Sequence, residues 1–271
     1  MKRKKTVWLL CMAGLCLVLY TIVSSRTNDM SALVFGGAEG AFISSDNVEY
    51  SPVSHRATPE PTVNIWPEID ITQPQYSIVN NDNLLVKAFE PDVEQIEGYK
   101  WMLFDVSAKP YLEAMLRDCE AAGHTVVVNG AYRTYSYQNQ LFNSKASQIA
   151  AGMGINDYLD PEYQKAAKQA ESITARPGGS EHQLGLAVDL MDKQYSYLDY
   201  SRMDQELFKW LDEHCAEYGF IKRYPTKKLL LTGWDEPWHY RYVGVEAATF
   251  IMEQGLCFEE FYQHYVPDFS F

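Results

Sequence analysis

The stretch Ser180-Glu181-His182-Gln183-Leu184-Gly185-Leu186-Ala187-Val188-Asp189, running on into Leu190, places an aspartate inside an apolar run. Leu186–Leu190 (LAVDL) reads as a short buried strand. A carboxylate held there loses its water, at a cost of several kcal/mol unless a cation or a metal pairs with it. Asp189 therefore asks for a positive partner, and His182 is a candidate to share one.

A second stretch, Glu236-Pro237-Trp238-His239-Tyr240-Arg241-Tyr242-Val243-Gly244, adds another imidazole at the start of a strand over His239–Val243. His182, Asp189 and His239 together form a three-ligand set with an open fourth position. That is the arrangement of a catalytic zinc rather than a structural one. Zinc of this kind brings the pKa of its water toward neutrality, and a base must then take the proton. Glu236 lies three residues before His239, with Pro237 stiffening the link, and is the candidate base. The same ligand types also suit a non-haem iron triad. Those triads usually begin with His and acid one residue apart, whereas six residues separate His182 from Asp189.

A third stretch, Gly130-Ala131-Tyr132-Arg133-Thr134-Tyr135-Ser136-Tyr137-Gln138, follows a β-branched strand at Thr125–Asn129 (TVVVN). An arginine at a strand end, ahead of a helix, can point into a cleft and grip a carboxylate in a two-bond fork. Arg133 could equally stabilise an oxyanion at a scissile carbonyl. Taken alone, it would read as a surface arginine paired with one of many acids.

Outward from these stretches the pattern is that of a scaffold. Leu112, Met115, Leu116 and Cys119 follow helical spacing, closed by Gly123. Helices are expected over Ser136–Ala151 and Pro161–Glu171. A further helix carries Leu207, Trp210, Leu211, Cys215 and Tyr218 and stops at Gly219, and Val245–Gln254 forms another. Short strands among flanking helices, joined by short connections, point to the α+β class, with a small antiparallel sheet.

The chain has 271 residues and a formal net charge of −13, and its first 26 residues hold five basic side chains and no acid. The rest is therefore more acidic still; such a surface repels phosphate backbones, so nucleic acid is not the expected partner. Lys2–Lys5 form a basic cluster ahead of an uncharged run, Thr6–Val23, just long enough to span a bilayer. Residues 1–26 are expected to be a membrane anchor or a signal segment, with everything downstream exported. Residues 27–75, rich in Ser, Thr, Asn, Asp and Pro, read as a flexible stalk, and residues 76–271 as one domain, expected to be monomeric. Of the five cysteines, Cys119, Cys215 and Cys257 lie in that domain without zinc-finger spacing. They read as core residues, with Cys119–Cys215 or Cys215–Cys257 disulfides left open.

Together the three stretches resemble the VanY branch of the D-alanyl-D-alanine carboxypeptidases, in the M15 metallopeptidase group. The family pattern S-x-H-x-x-G-x-A-x-D is met by Ser180, His182, Gly185, Ala187 and Asp189, and E-x-W-H-x-R-Y by Glu236, Trp238, His239, Arg241 and Tyr242. In the upstream segment Tyr132, Arg133 and Gln138 match, while Thr134 replaces the usual Ser. Ala175-Arg176-Pro177-Gly178 and Tyr218-Gly219-Phe220 are also similar, and the likeness runs from about Ala88 to Gly255. It implies a Hedgehog/DD-peptidase-like fold with zinc (Zn2+) held on the sheet by His182, Asp189 and His239. It implies Glu236 as general base, Arg133 on the substrate carboxylate or oxyanion, and Ser180, Gln138 and Trp238 lining the pocket. The implied reaction is removal of the C-terminal D-alanine from peptidoglycan stem peptides, which exist only outside the membrane. An L,D-carboxypeptidase or endopeptidase of the same fold would share these motifs. A non-catalytic wall-binding module would have a lost base or a closed fourth position.

Overall fold

The computed structural model describes residues 66–195 and 198–269. Residues 1–26, the expected anchor or signal segment, and residues 27–65 of the expected stalk fall outside the described residues. Among the described residues, no helix is long and apolar enough to cross a membrane.

In chain order the elements are β1 (Val93–Gln95), β2 (Leu103–Asp105), α1 (Lys109–Ala121), β3 (Val127–Gly130), α2 (Tyr135–Gly152), α3 (Tyr163–Ala170) and β4 (Ala187–Met191). There follow α4 (Gln205–His214), β5 (Phe220–Lys222), the single turn α5 (Leu229–Thr232), β6 (His239–Tyr242), α6 (Val245–Gln254) and α7 (Phe258–Tyr265). β1 and β2 form a two-stranded hairpin, and the other strands form an antiparallel sheet in the order β3-β4-β6-β5. The class is α+β, as the motif pattern indicates.

Helical spacing places Leu112, Met115, Leu116 and Cys119 on the buried side of α1. There they pack with Val188 and Leu190 of β4 and Leu207, Phe208 and Leu211 of α4 in the main core. The strand expected at Thr125–Asn129 begins two residues later, because the chain ahead of it is still leaving the helix: the His124 N–H is bonded to the Cys119 carbonyl. The helix expected to run to Tyr218 ends as an α-helix at His214 and tightens to a 3-10 turn over Cys215–Tyr218. Gly219, at φ 80°, then turns the chain into β5. A β-carbon there would lie 2.7 Å from Tyr242 Cε2, so this turn requires glycine. Cys119, Cys215 and Cys257 are buried and free, which answers the open question of disulfides.

A second cluster of buried residues lies where Tyr76, Ile78, Val243, Ala247, Ile251, Phe258 and Phe261 meet. Here the stalk reading needs correcting at its end. Within residues 66–75, Trp66, Ile69 and Ile71 pack against this cluster, and Trp66 stacks on His264 at 3.8 Å. The Tyr265 hydroxyl donates to the Pro67 carbonyl, and Arg241 Nη2 donates to those of Gln75 and Ser77. The prolines that suggest a linker leave room for apolar anchors between them.

Trp66→Ala is expected to lower the unfolding free energy by about 2 kcal/mol, less than for a fully buried tryptophan, because the ring is half-buried. Urea denaturation measures this, and a loss indistinguishable from zero would return 66–75 to the role of a simple tether.

Candidate metal centre

The sheet register assembles the site. On β4, Val188 and Leu190 face the core while Asp189 faces the other way, as the two-residue strand period requires. Asp189 pairs directly with His239 on β6 and with Gly130 on β3. Ala187 pairs with Arg241, which puts His239 and Arg241 on one face with Asp189. His182 arrives from a 3-10 turn, Glu181–Leu184, closed by Gly185 at φ 77°. That turn is tied to β3's exit, since the Arg133 N–H donates to the His182 carbonyl.

One nitrogen of each imidazole and one oxygen of Asp189 lie within 4.8 Å of one another. The partners on the far side of each ring decide which nitrogen faces inward. His182 Nδ1 lies 2.8 Å from the Ala131 carbonyl, an acceptor only, so Nδ1 carries the proton and Nε2 is left as a lone pair 3.3 Å from Asp189 Oδ2. His239 Nε2 lies 3.2 Å from Glu181 Oε2, and Nδ1 faces Asp189 Oδ1 at 3.1 Å. The His182 lone pair turned toward a carboxylate repels it unless a cation lies between them, so the donor set fits a divalent metal.

Electrostatics agree. Burial, then the Arg133 guanidinium, pull the His182 imidazole down to about 4, which leaves it neutral and able to ligate. Burial opposes a charge on His239, but hydrogen bonds to Asp189 and Glu181 overcome it and lift the ring to about 9. The pocket thus attracts positive charge where His239 meets Asp189. Burial would raise Asp189, yet His182, His239 and Arg133 hold it well below the usual carboxylate range.

Glu236 Oε2 stands 3.8 Å from His239 Nδ1. Burial pushes its carboxyl up to about 7, with His239 opposing and Asp189 adding to the rise. Its side chain keeps 28% of its surface open to the cleft, so proton exchange with solvent remains available. Arg133 Nη2 donates to Asp189 Oδ2 at 3.0 Å.

All eight residues singled out in the sequence line one cleft of about 790 Å³: Arg133, Gln138, Ser180, His182, Asp189, Glu236, Trp238 and His239. Thr134, the departure from the family pattern, caps α2 by accepting from the Tyr137 N–H, a task its hydroxyl performs as a serine's would. Gln138 Nε2 donates to the Ala175 carbonyl, while its Oε1, buried and unpaired, remains an acceptor. Sequence reasoning missed Glu181. Its signal was present: Arg223 and Arg241 occupy β-rich segments, where a buried cation needs an anion.

A family model, VanY: D-alanyl-D-alanine carboxypeptidase, matches residues 83–245. The chain belongs to the VanY family. A D-alanyl-D-alanine carboxypeptidase of Enterococcus faecalis (strain ATCC 700802 / V583) is 38% identical over 186 residues, covering 68% of this chain and 64% of the relative. The chain thus spans just under two thirds of that relative's length. Among solved structures it is similar to a mutant of the vancomycin-resistance D,D-pentapeptidase VanY from a VanB-type resistance cassette in complex with Zn(II). That likeness has 36% identity and a TM-score of 0.58, over 70% of this chain and 99% of the other. It is also similar to the LdcB LD-carboxypeptidase, with 27% identity and a TM-score of 0.58 over 73% and 92%.

Gly130 is the tightest point of this VanY-family site. A β-carbon there would lie 2.6 Å from Asp189 Oδ2 and 3.2 Å from Arg133 Nη2. Gly130→Ala is expected to displace the carboxylate and weaken zinc binding about tenfold or more, as displaced metal-site partners do. Competition with a chromophoric chelator reads this, and wild-type affinity would show that Asp189 can hold zinc from another position.

Proposed function

We propose that this chain is a zinc-dependent D,D-carboxypeptidase that removes the C-terminal D-alanine from peptidoglycan stem peptides. The single observation that supports it most is the convergence of His182 Nε2, Asp189 and His239 Nδ1, with the Glu236 carboxyl alongside. His182, Asp189 and His239 are the ligands. Zinc held there supplies polarisation of the scissile carbonyl and acidification of the attacking water. Glu236 takes that water's proton as oxygen bonds to the carbonyl carbon, and returns it to the amine nitrogen as the C–N bond breaks.

Arg133 lines the cleft beside Asp189, and its guanidinium has donors beyond the one Asp189 takes. Those donors bind the terminal carboxylate of the substrate or the developing oxyanion. Ser180, Gln138 and Trp238 line the walls, Gln138 held by its bond to the Ala175 carbonyl. Residues 1–26 hold the enzyme at the membrane or direct its export, and the catalytic domain works on the outer face. The basic cluster before an uncharged run supports that placement.

The likeness to an LD-carboxypeptidase, at the same TM-score as the D,D-pentapeptidase, supports a second reading in which the L,D bond is cut. The metal chemistry is common to both, and the released residue separates them. Release of D-alanine from a pentapeptide ending in D-Ala-D-Ala, but not from the corresponding tetrapeptide, is the outcome for a D,D-carboxypeptidase. The reverse preference would establish the L,D activity.

Glu236→Gln keeps the shape and removes the base. It is expected to cut turnover by about 10²–10⁴ while zinc stays bound. Unchanged turnover would remove Glu236 from the mechanism. Arg133→Ala is expected to reduce kcat/KM by about 10²-fold or more with little change in thermal unfolding, and Lys to restore only part, since a point charge lacks the fork. Wild-type kinetics in the Ala variant would exclude the carboxylate and oxyanion roles alike.

A further inference from the structure

Beneath the metal centre lies a buried ionic cluster that the proposed reaction does not use. Glu181 Oε1 receives Arg223 Nε at 2.7 Å and faces Arg241 Nη1 at 3.1 Å, while its Oε2 faces His239 Nε2 at 3.2 Å. Arg223 then forks onto Glu259 of α7, with Nη1 on Oε2 at 3.0 Å and Nη2 on Oε1 at 2.6 Å. Glu181, Arg223, Arg241 and Glu259 are each 4% exposed or less. Two cations and two anions balance, so the cluster as a whole is neutral. Burying four charges contributes little net stability even when they are well paired, so their presence is better explained by what they orient.

We propose that Glu181 is a positioning residue for the zinc ligand His239, and that Glu259 acts on the same ring through Arg223. The inference rests on the zinc reading above. His239 must offer Nδ1 inward, because that is the atom facing Asp189 and Glu236. Glu181 Oε2 accepts the proton left on Nε2, which fixes the tautomer, the ring plane and the donor strength of Nδ1. His182 is oriented by a neutral carbonyl, that of Ala131. A carboxylate polarises its imidazole more strongly, so His239 is the more basic ligand. Glu259 takes both Nη groups of Arg223 and offsets part of its charge, so that only Nε falls to Glu181. Without it, Arg223 and Arg241 both draw on Glu181 and weaken its hold on Nε2–H. Glu259 lies beyond residues 83–245, the span matched by the family model, so α7 belongs to the metal centre although the motifs do not include it.

The test uses the full chain loaded with zinc. Long-range proton–nitrogen NMR of the histidine rings in the wild type is expected to show His239 with Nε2 protonated and Nδ1 coordinated. The opposite tautomer would overturn the proposal without any variant. Glu181→Gln is expected to lose 10–100-fold in zinc affinity by chelator competition and to alter the visible spectrum of the cobalt(II) form. Glu259→Gln, which leaves Glu181 in place, is expected to lose several-fold in the same direction. Near-ultraviolet circular dichroism reports whether each variant is folded. A folded Glu181→Gln with wild-type affinity and spectrum overturns the proposal. Should that variant not fold, wild-type values in Glu259→Gln overturn it instead. Failure of the wild type itself to bind zinc would overturn the metal reading first, which keeps the two failures distinct.

Discussion

The Asp189 carboxylate lies on β4, an interior strand of the four-stranded sheet, where water scarcely reaches it. Three positively charged or polarisable groups converge on it: Arg133 on Oδ2, His182 beside Oδ2 and His239 beside Oδ1. Each comes from a different part of the chain. The exit of β3 brings Arg133, the Gly185-closed turn brings His182, and the β4–β6 register brings His239. A charge that cannot be solvated therefore organises the sheet and its surrounding loops around one point.

Much of this was legible because the relevant signals are local. An aspartate between Val188 and Leu190 is conspicuous in any apolar run, and helical spacing in α1 and α6 carries their burial directly. The contacts among the motifs were not derivable from spacing, since the pairing of β4 with β6 spans some fifty residues of intervening helix and loop. The hairpin β1–β2 and the helix α7 left weaker traces. Each strand of the hairpin is three residues long, and α7 is rich in aromatics that suit either helix or strand. The segment 66–75 misled for a physical reason: prolines mark an absence of regular structure, not an absence of packing. Glu181 was passed over because an acid ahead of a candidate ligand reads as surface, and the two arginines in β-rich segments do not by themselves say which acid they meet; the fold puts both against Glu181.

The two histidines of the proposed metal site have two kinds of support. The acceptor behind His182 is a backbone carbonyl of a residue next to Gly130, so its orientation is tied to the same loop that carries Arg133. The acceptor behind His239 is a side chain, itself held by side chains reaching from β5's end and α7. The first support is fixed by the chain path, the second by packing of elements far apart in sequence. Tyr224 adds to the second, its ring 4.9 Å from that of His239 with the Arg223 guanidinium 4.7 Å from its own face. Rigid support from two independent directions is what a ligand set needs if its geometry is to survive substrate entry.

Strand register is the reason these supports do not conflict. With a two-residue period, a slip of one position between β4 and β6 would turn His239 and Arg241 toward the apolar core and bring Tyr240 onto the metal face. The hydrophobic partners of Val188 and Leu190 penalise that slip, so the core enforces the pairing of Asp189 with His239 without touching either one. On the other side of β4 the irregularity between Val128 and Gly130 brings a residue without a side chain opposite Asp189. The space a β-carbon would fill is the space that the Asp189 carboxylate and the Arg133 guanidinium share. Apolar packing thus selects the register, and the register selects which charges meet. A site of this polarity can then be built in a sheet whose stability comes from elsewhere.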